Sequence, residues 1–340
     1  MVDDKEVKTL VSPFSVREGE RKIFDGKDGF ASINQVVFKM DMGYINESHI
    51  KALEVVNEYE FVTSRQVTQI LEQKGKLDDI EADKRQDKVS KWLEDLTKSK
   101  VLSRYYFQNE LGKSSYRVYA LDNLAVYLLN ERNISANWQK SDNSKPAYAL
   151  KRKLAGNQIL IAYMQKVASF LDAVPNILLY SKKYGVKFKP TGGMIKLKED
   201  ANEYNFVFEV VRRNEDWQNM FAEKVQLYSD FYENFAKNDC GFSNPPQLVF
   251  VGEDLQHLAE MFRIIKKVTN VLKDEEMYFT TEIKHLDNSL EESISVFELD
   301  SDNKKYRLTT KKLELLKPGK NDSNGEISKK VKFNPNMIVE

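Results

Sequence analysis

Cysteine is almost missing from this chain. Cys240 is the only one in 340 residues, so no internal disulfide can form and a reducing compartment is expected. Histidine is scarce too. With only His49, His257 and His285 beside Cys240, a zinc cluster of the Cys/His type cannot be assembled, and neither a metal nor another cofactor is expected. No apolar run approaches the roughly 18 residues that a membrane-spanning helix needs. The opening MVDDKEVKTLVSPF carries no apolar signal-peptide core. A cytoplasmic protein with no membrane partner is the expectation. Net charge is absent as well, with 52 basic and 52 acidic residues, so only the distribution of charge can point to a partner. Also missing are a Gly-x-x-x-x-Gly-Lys-Ser/Thr phosphate loop, a Gly-x-Gly-x-x-Gly fingerprint and a nucleophile elbow.

What is present divides the chain in two. Residues 1–45 show no clear period and predict an arm with one short strand, QVVFKM. From Asn46 a helical spacing begins, with Ile50, Leu53, Val56 and Tyr59 on one face. Thr63 and Gln66 then form a capping-box pattern ahead of RQVTQILEQKG, which Gly75 ends. A third helix over 81–99 carries the stripe Val89, Trp92, Leu93 and Leu96. Two alternating segments around Asn109–Gly112 predict a hairpin. Three helices followed by a hairpin is the order of a winged helix-turn-helix, here over 46–132. Residues 133–146 are polar and predict a linker.

The second half, 147–315, opens with a long helical pattern over 147–171. Two apolar-alternating segments follow, FKPTGGMIKL at 188–197 and NFVFEVVRR at 205–213, joined by the charged turn KEDANEY. A helix pattern over 216–236 and the strand QLVFVGED come next. Strand–strand–helix–strand is the core order of a PD-(D/E)XK nuclease. Such an enzyme places Asp near the end of the first strand and Glu-x-Lys in the second, because a metal-dependent nuclease needs carboxylates around the ion and a lysine beside them. Here those sites read Thr191-Gly192-Gly193 and Glu209-Val210-Val211. Glu209 and Lys224 are the remaining catalytic candidates, as vestiges, and an ion pair between them is the structural alternative. The fold expected is therefore α+β with an α/β portion: an N-terminal winged helix followed by a nuclease-like domain without a full catalytic set. The tail over 316–340 is polar and predicted to be mobile.

Charge is unevenly spread. Residues 46–122 hold 13 bases and 14 acids, a poor footprint for DNA, but 84–117 hold nine bases and four acids. Residues 145–198 are more one-sided, with eleven bases and one acid, interleaved with tyrosines. A stretch of this kind suits a polyanion, since each neutralised phosphate releases counterions. Neutralisation by the acid-rich 199–239 is the competing reading.

This order of parts resembles the replication-relaxation family, found on plasmids and conjugative elements of Gram-positive bacteria. The resemblance is clearest over 192–254, in GMIKL, YNFVFEVVRRNEDW, EKVQLYSDFYE and PPQLVFVGED, and maps the family's recurring acid, lysine and tyrosine onto Glu209, Lys224 and Tyr228. It implies a non-enzymatic accessory protein that binds double-stranded DNA in plasmid replication or conjugative DNA processing. Its partner would be a relaxase or a replication initiator, and the nuclease-like part would dock that partner or form a homodimer. The helix over 81–99 would enter the major groove with Lys84, Arg85, Lys88 and Lys91. Thr63, Ser64, Arg65 and Gln66 would meet the phosphate backbone. Lys113 and Arg117 would lie on the wing, and Lys151, Arg152 and Lys153 would add sequence-independent affinity. An active, divergent metal-dependent DNA nuclease and a transcriptional regulator of a mobile element are the alternatives.

Overall fold

The computed structural model describes residues 12–29, 31–110, 112–114, 116–286, 289–300 and 305–318. It is a mixed α+β structure with eight α-helices among the described residues. The N-terminal half contains β1 (Arg21–Phe24), α1 (Ile33–Asp41), α2 (Glu47–Tyr59), α3 (Ser64–Gln73) and α4 (Ala82–Lys98). It continues through β2 (Leu102–Asn109), β3 (Gly112–Lys113), β4 (Val118–Leu121) and α5 (Asn123–Glu131). β2 pairs antiparallel with β1, β3 and β4. Helix α3 starts where Thr63 and Gln66 cap each other reciprocally, each side chain accepting from the other's backbone N–H at 3.2 Å.

The C-terminal half opens with α6 (Ala147–Lys166), β5 (Phe170–Val174), β6 (Leu179–Ser181), β7 (Val186–Phe188), β8 (Met194–Glu199) and β9 (Asn202–Val210). Then come α7 (Trp217–Glu233), β10 (Gln247–Gly252), α8 (Leu255–Val268), β11 (Met277–Thr281), β12 (Ile294–Asp300) and β13 (Lys305–Lys311). Seven strands form one sheet in the order β13-β12-β11-β10-β9-β8-β5. β10 runs parallel to β9 and β11, and the outer pairings are antiparallel.

Strand alternation sorts this sheet into two faces. Phe206, Phe208 and Val210 of β9, with Val249 and Val251 of β10, join a core that includes α6 and runs on into α2, α3 and α4. Val207 and Val211, with Leu248 and Phe250, pack instead with Val225 and Tyr228 of α7 and Leu258 and Phe262 of α8. Helix α6 is thus shared by both halves. Asn157 donates to the carbonyls of Tyr59 and Phe61 at 3.1 and 2.8 Å, and Gln66 donates to the Leu154 carbonyl at 2.8 Å.

Several expected elements shift. QVVFKM lies in helix α1, not in a strand, because Ser32 and Gln35 make a capping box in front of it. The long helix stops at Lys166, and part of its expected end forms edge strand β5. FKPTGGMIKL is broken: Pro190–Gly193 form a turn between β7 and β8. That turn needs its glycines. A Cβ on Gly192 would sit 2.7 Å from the Phe208 Cβ, and one on Gly156 of α6 would sit 2.6 Å from the Gly192 Cα. The linker contains a short 3-10 helix, Lys140–Ser144. Of the expected tail, Leu316 is buried in the core and Pro318 bridges to Val167, while 319–340 lie outside the described residues.

Candidate functional site

Glu209 is the next-to-last residue of β9 and projects to the α7 side of the sheet. It is only 3% exposed, yet every contact it makes is with a donor. The Thr191 hydroxyl donates to Oε1 at 2.6 Å, and the Tyr228 hydroxyl donates to Oε2 at 2.7 Å. The Thr191 N–H adds a longer contact of 3.4 Å. Lys224 Nζ lies 3.8 Å from Oε2 and donates to the Lys189 carbonyl at 2.6 Å. Tyr228 sits one turn beyond Lys224 on α7, so one helix face delivers both groups. Burial, then the adjacent Glu209 charge, pushes the Tyr228 phenol well above its ordinary pKa and keeps it a donor.

The residues read together from sequence therefore meet in space: Thr191, Glu209, Lys224 and Tyr228. The two groups bonded to the Glu209 carboxylate are hydroxyl donors, not further carboxylates. Val211, at the position a catalytic lysine would take, is buried in the apolar core. Among the described residues no group of three or more His, Cys, Asp or Glu side chains is placed to hold a metal ion.

This centre forms one wall of a cleft of about 550 Å³. The opposite wall comes from the end of α2 and the start of α6. There Glu60, outside the helix at φ 65° and ψ −69°, receives Lys189 at 2.5 Å and stands 3.8 Å from Lys153. Lys153 also donates to the Pro175 carbonyl at 2.7 Å and to Asn176 Oδ1 at 3.0 Å. Arg152, Lys145, Tyr148, Arg212, Trp217 and Glu223 also line the cleft.

The residues expected to meet DNA fall into two groups. Lys84, Lys88 and Lys91 are exposed along α4, with Lys84 paired to Glu81 at 2.5 Å. Arg65 and Lys113 are exposed, Ser64 is half-buried, and Lys113 lies over the Tyr106 ring at 5.1 Å. Arg117 also lies 5.1 Å from that ring but is paired with Asp25 at 2.5 Å. The second group turns inward and corrects the expectation. Thr63 and Gln66 are buried, spent on the α3 cap and on Leu154. Arg85 is folded back onto the Ile80 carbonyl at 3.0 Å and lies 3.5 Å from Glu72. Lys151 is 2% exposed and paired with Glu20 at 2.6 Å, and Lys153 is 4% exposed. Lys151 is thus held inside, while Lys153 lines the cleft described above. Within the basic stretch 145–198, Lys151, Lys153, Lys189 and Lys145 are taken by Glu20, Glu60 and Asp142, from outside 199–239, while Lys183, Lys187 and Lys198 are exposed. Lys182–Asp239, at 2.6 Å, is a pair of the expected kind.

Sequence reading missed a second buried charge centre. Arg212 follows β9, and its side chain is fully buried. It pairs with Glu282 at the end of β11, lies 4.0 Å from Glu253 at the end of β10, and donates to the Phe14 carbonyl at 3.0 Å. The arm is stitched over this centre. Ser12 donates to Glu282 at 2.6 Å, Val16 N–H donates to Glu253 at 3.0 Å, and Lys151 donates to the Ser15 carbonyl at 2.7 Å. The only signal was the Arg-Arg pair directly after an apolar strand, which fixes neither partner.

No described helix is long and apolar enough to cross a membrane. No protein-family model matches this chain, and no curated protein shows significant similarity to it.

Proposed function

We propose that this chain is a non-enzymatic DNA-binding accessory protein, serving plasmid replication or conjugative DNA processing by bringing a relaxase or initiator to double-stranded DNA. In this reading the N-terminal half is a winged helix-turn-helix and α4 is the helix that enters the major groove. The carrying observation is the division of α4. Val89, Leu93 and Leu96 are buried, while Lys84, Lys88 and Lys91 are exposed on the other side. The antiparallel β2–β3–β4 unit follows α4 directly and exposes Lys113, as a wing would. A non-enzymatic role is favoured by the Glu209 centre, where Thr191 and Tyr228 satisfy the carboxylate that a metal would otherwise use. The sheet-containing half would then dock a partner or a second copy.

The test is footprinting on the parent element's DNA with the chain and with Lys84→Ala/Lys88→Ala/Lys91→Ala. Protection that disappears in the triple variant is expected. Protection retained unchanged removes α4 from the interface. Plasmid nicking with magnesium or manganese that is abolished by Glu209→Ala would replace this reading with that of a nuclease.

A further inference from the structure

We propose that the cleft beside Glu209 binds a phosphate monoester of nucleotide size, with Arg152 anchoring the phosphate. The cavity, about 550 Å³, has the size of a small-molecule site. The ion pairs place the unmatched positive charge on one wall, around Glu60 and Arg152. Lys224 is matched by Glu209, Lys145 by Asp142 at 2.8 Å, and Arg212 by Glu282 and Glu253. Lys153 and Lys189, by contrast, share the single carboxylate of Glu60. Arg152 forms no ion pair among the described residues, and its Nε is buried without a hydrogen-bond partner. Glu223 lines the cleft too, but it is exposed.

A buried guanidinium N–H without an acceptor is costly, and phosphate oxygens are the acceptors whose geometry a guanidinium fits best. Lys153 points the same way. Burial holds its ammonium down to about 8, against the upward pull of Glu60 and with smaller downward pushes from Lys189 and Lys145. Three ammonium groups, those of Lys153, Lys189 and Lys145, thus stand near one carboxylate on this wall. The Tyr148 ring lies 6.0 Å from the Arg152 guanidinium and lines the same cavity, which offers a planar base a surface to stack on. The shared chemistry is a nucleoside 5′-phosphate. It can come from a free nucleotide or from the phosphorylated end of a DNA strand, and only the second source rests on the DNA-binding reading.

The experiment titrates the full chain with inorganic phosphate, a deoxynucleoside 5′-monophosphate, and a short single strand with either a 5′-phosphate or a 5′-hydroxyl. Calorimetry gives the affinities, and phosphorus NMR line broadening on the unaltered chain gives a readout that does not depend on any variant folding. The monophosphate is expected to bind at least about tenfold tighter than inorganic phosphate. Arg152→Gln is expected to lose about tenfold or more, while Lys88→Ala/Lys91→Ala leaves binding unchanged even if it abolishes duplex binding. Preference for the 5′-phosphorylated over the 5′-hydroxyl strand identifies a strand end, and binding of the monophosphate alone identifies a free nucleotide. No line broadening with any phosphate, equal affinity for phosphate and monophosphate, or unchanged binding by a folded Arg152→Gln variant would each overturn the proposal.

Discussion

Glu209 and Arg212 are both buried charges at the end of β9, but the molecule treats them in opposite ways. Glu209 is satisfied by two neutral hydroxyls and a lysine at 3.8 Å, and it borders an open cleft. Arg212 is enclosed by carboxylates from β10 and β11 and covered by Ser12–Val16 of the arm. The first is a polar centre left accessible. The second is an ion cluster that reaches the same cleft on one side and is covered on the other by the chain's own N-terminal segment. The difference teaches that the arm acts as part of the core of the C-terminal half, despite being far from it in sequence.

The comparison is broken most forcefully at Arg212. Arg212→Ala leaves Glu282 and Glu253 buried without their cation, and removing one partner of a buried charge set costs about 3–5 kcal/mol. A urea unfolding midpoint should fall accordingly. A loss below about 1 kcal/mol would mean that the arm does not seal this centre.

Acid is the next lever. His257 accepts a hydrogen bond from the Glu253 N–H at 3.1 Å, and His285 contacts the Thr281 carbonyl at 3.1 Å, so both belong to the sealed region. Burial lowers His285 to about 4. Burial, then Arg213 and Arg212 against the opposing pull of Asp254, lowers His257 to about 3. The unfolded chain takes up these protons near pH 6.5 and the folded chain does not. Stability is therefore complete above pH 6.5 and falls as pH drops toward 4, by about 1.4 kcal/mol per pH unit for each histidine. Glu253 works in the other direction, because burial raises its carboxyl and the folded state gains the proton first. The measurement is unfolding free energy between pH 7 and 4, in which His285→Gln should flatten the slope.

Legibility divides along the same line. Thr191, Glu209 and Lys224 could be grouped from sequence because strand, turn and helix follow one another, whereas Tyr228 came only from the family resemblance; it lies one turn beyond Lys224 on α7. The Thr63–Gln66 box was readable for the same local reason. The Arg212 centre was not, since its partners are set by sheet order and by an arm whose nearest contact, Phe14, is 198 residues away. Charge counting over 145–198 could not foresee that the distant acids Glu20 and Glu60 take Lys151, Lys153 and Lys189. The α1 error was avoidable, because Ser32-x-x-Gln35 repeats the signal that correctly marked α3.

At the open centre the expected loss is smaller. Glu209→Ala removes an acceptor from Thr191 and Tyr228 but leaves Lys224 bound to the Lys189 carbonyl and near the cleft. One buried phenol and one hydroxyl left unsatisfied cost about 1–3 kcal/mol. Tyr228→Phe, which takes away one of the donors and leaves Thr191 in place, should cost about 1 kcal/mol. Unfolding curves that rank Arg212→Ala above Glu209→Ala, and Glu209→Ala above Tyr228→Phe, preserve the comparison. Equal losses at Arg212 and Glu209 would erase it.

The smallest effect on folding is expected where the proposed effect on binding is largest. Lys88 and Lys91 are exposed on α4, so Lys88→Ala/Lys91→Ala should leave stability within about 0.5 kcal/mol. If both lysines meet phosphates, the slope of log affinity against log salt for duplex DNA should become shallower by about 1.8. The two numbers must be read together. A changed salt slope with unchanged stability assigns the lysines to the interface, because an exposed helix face can lose charge without disturbing Val89, Leu93 and Leu96 behind it. A changed stability would show that these side chains hold the fold, and that the outward face of α4 is not the surface that meets DNA.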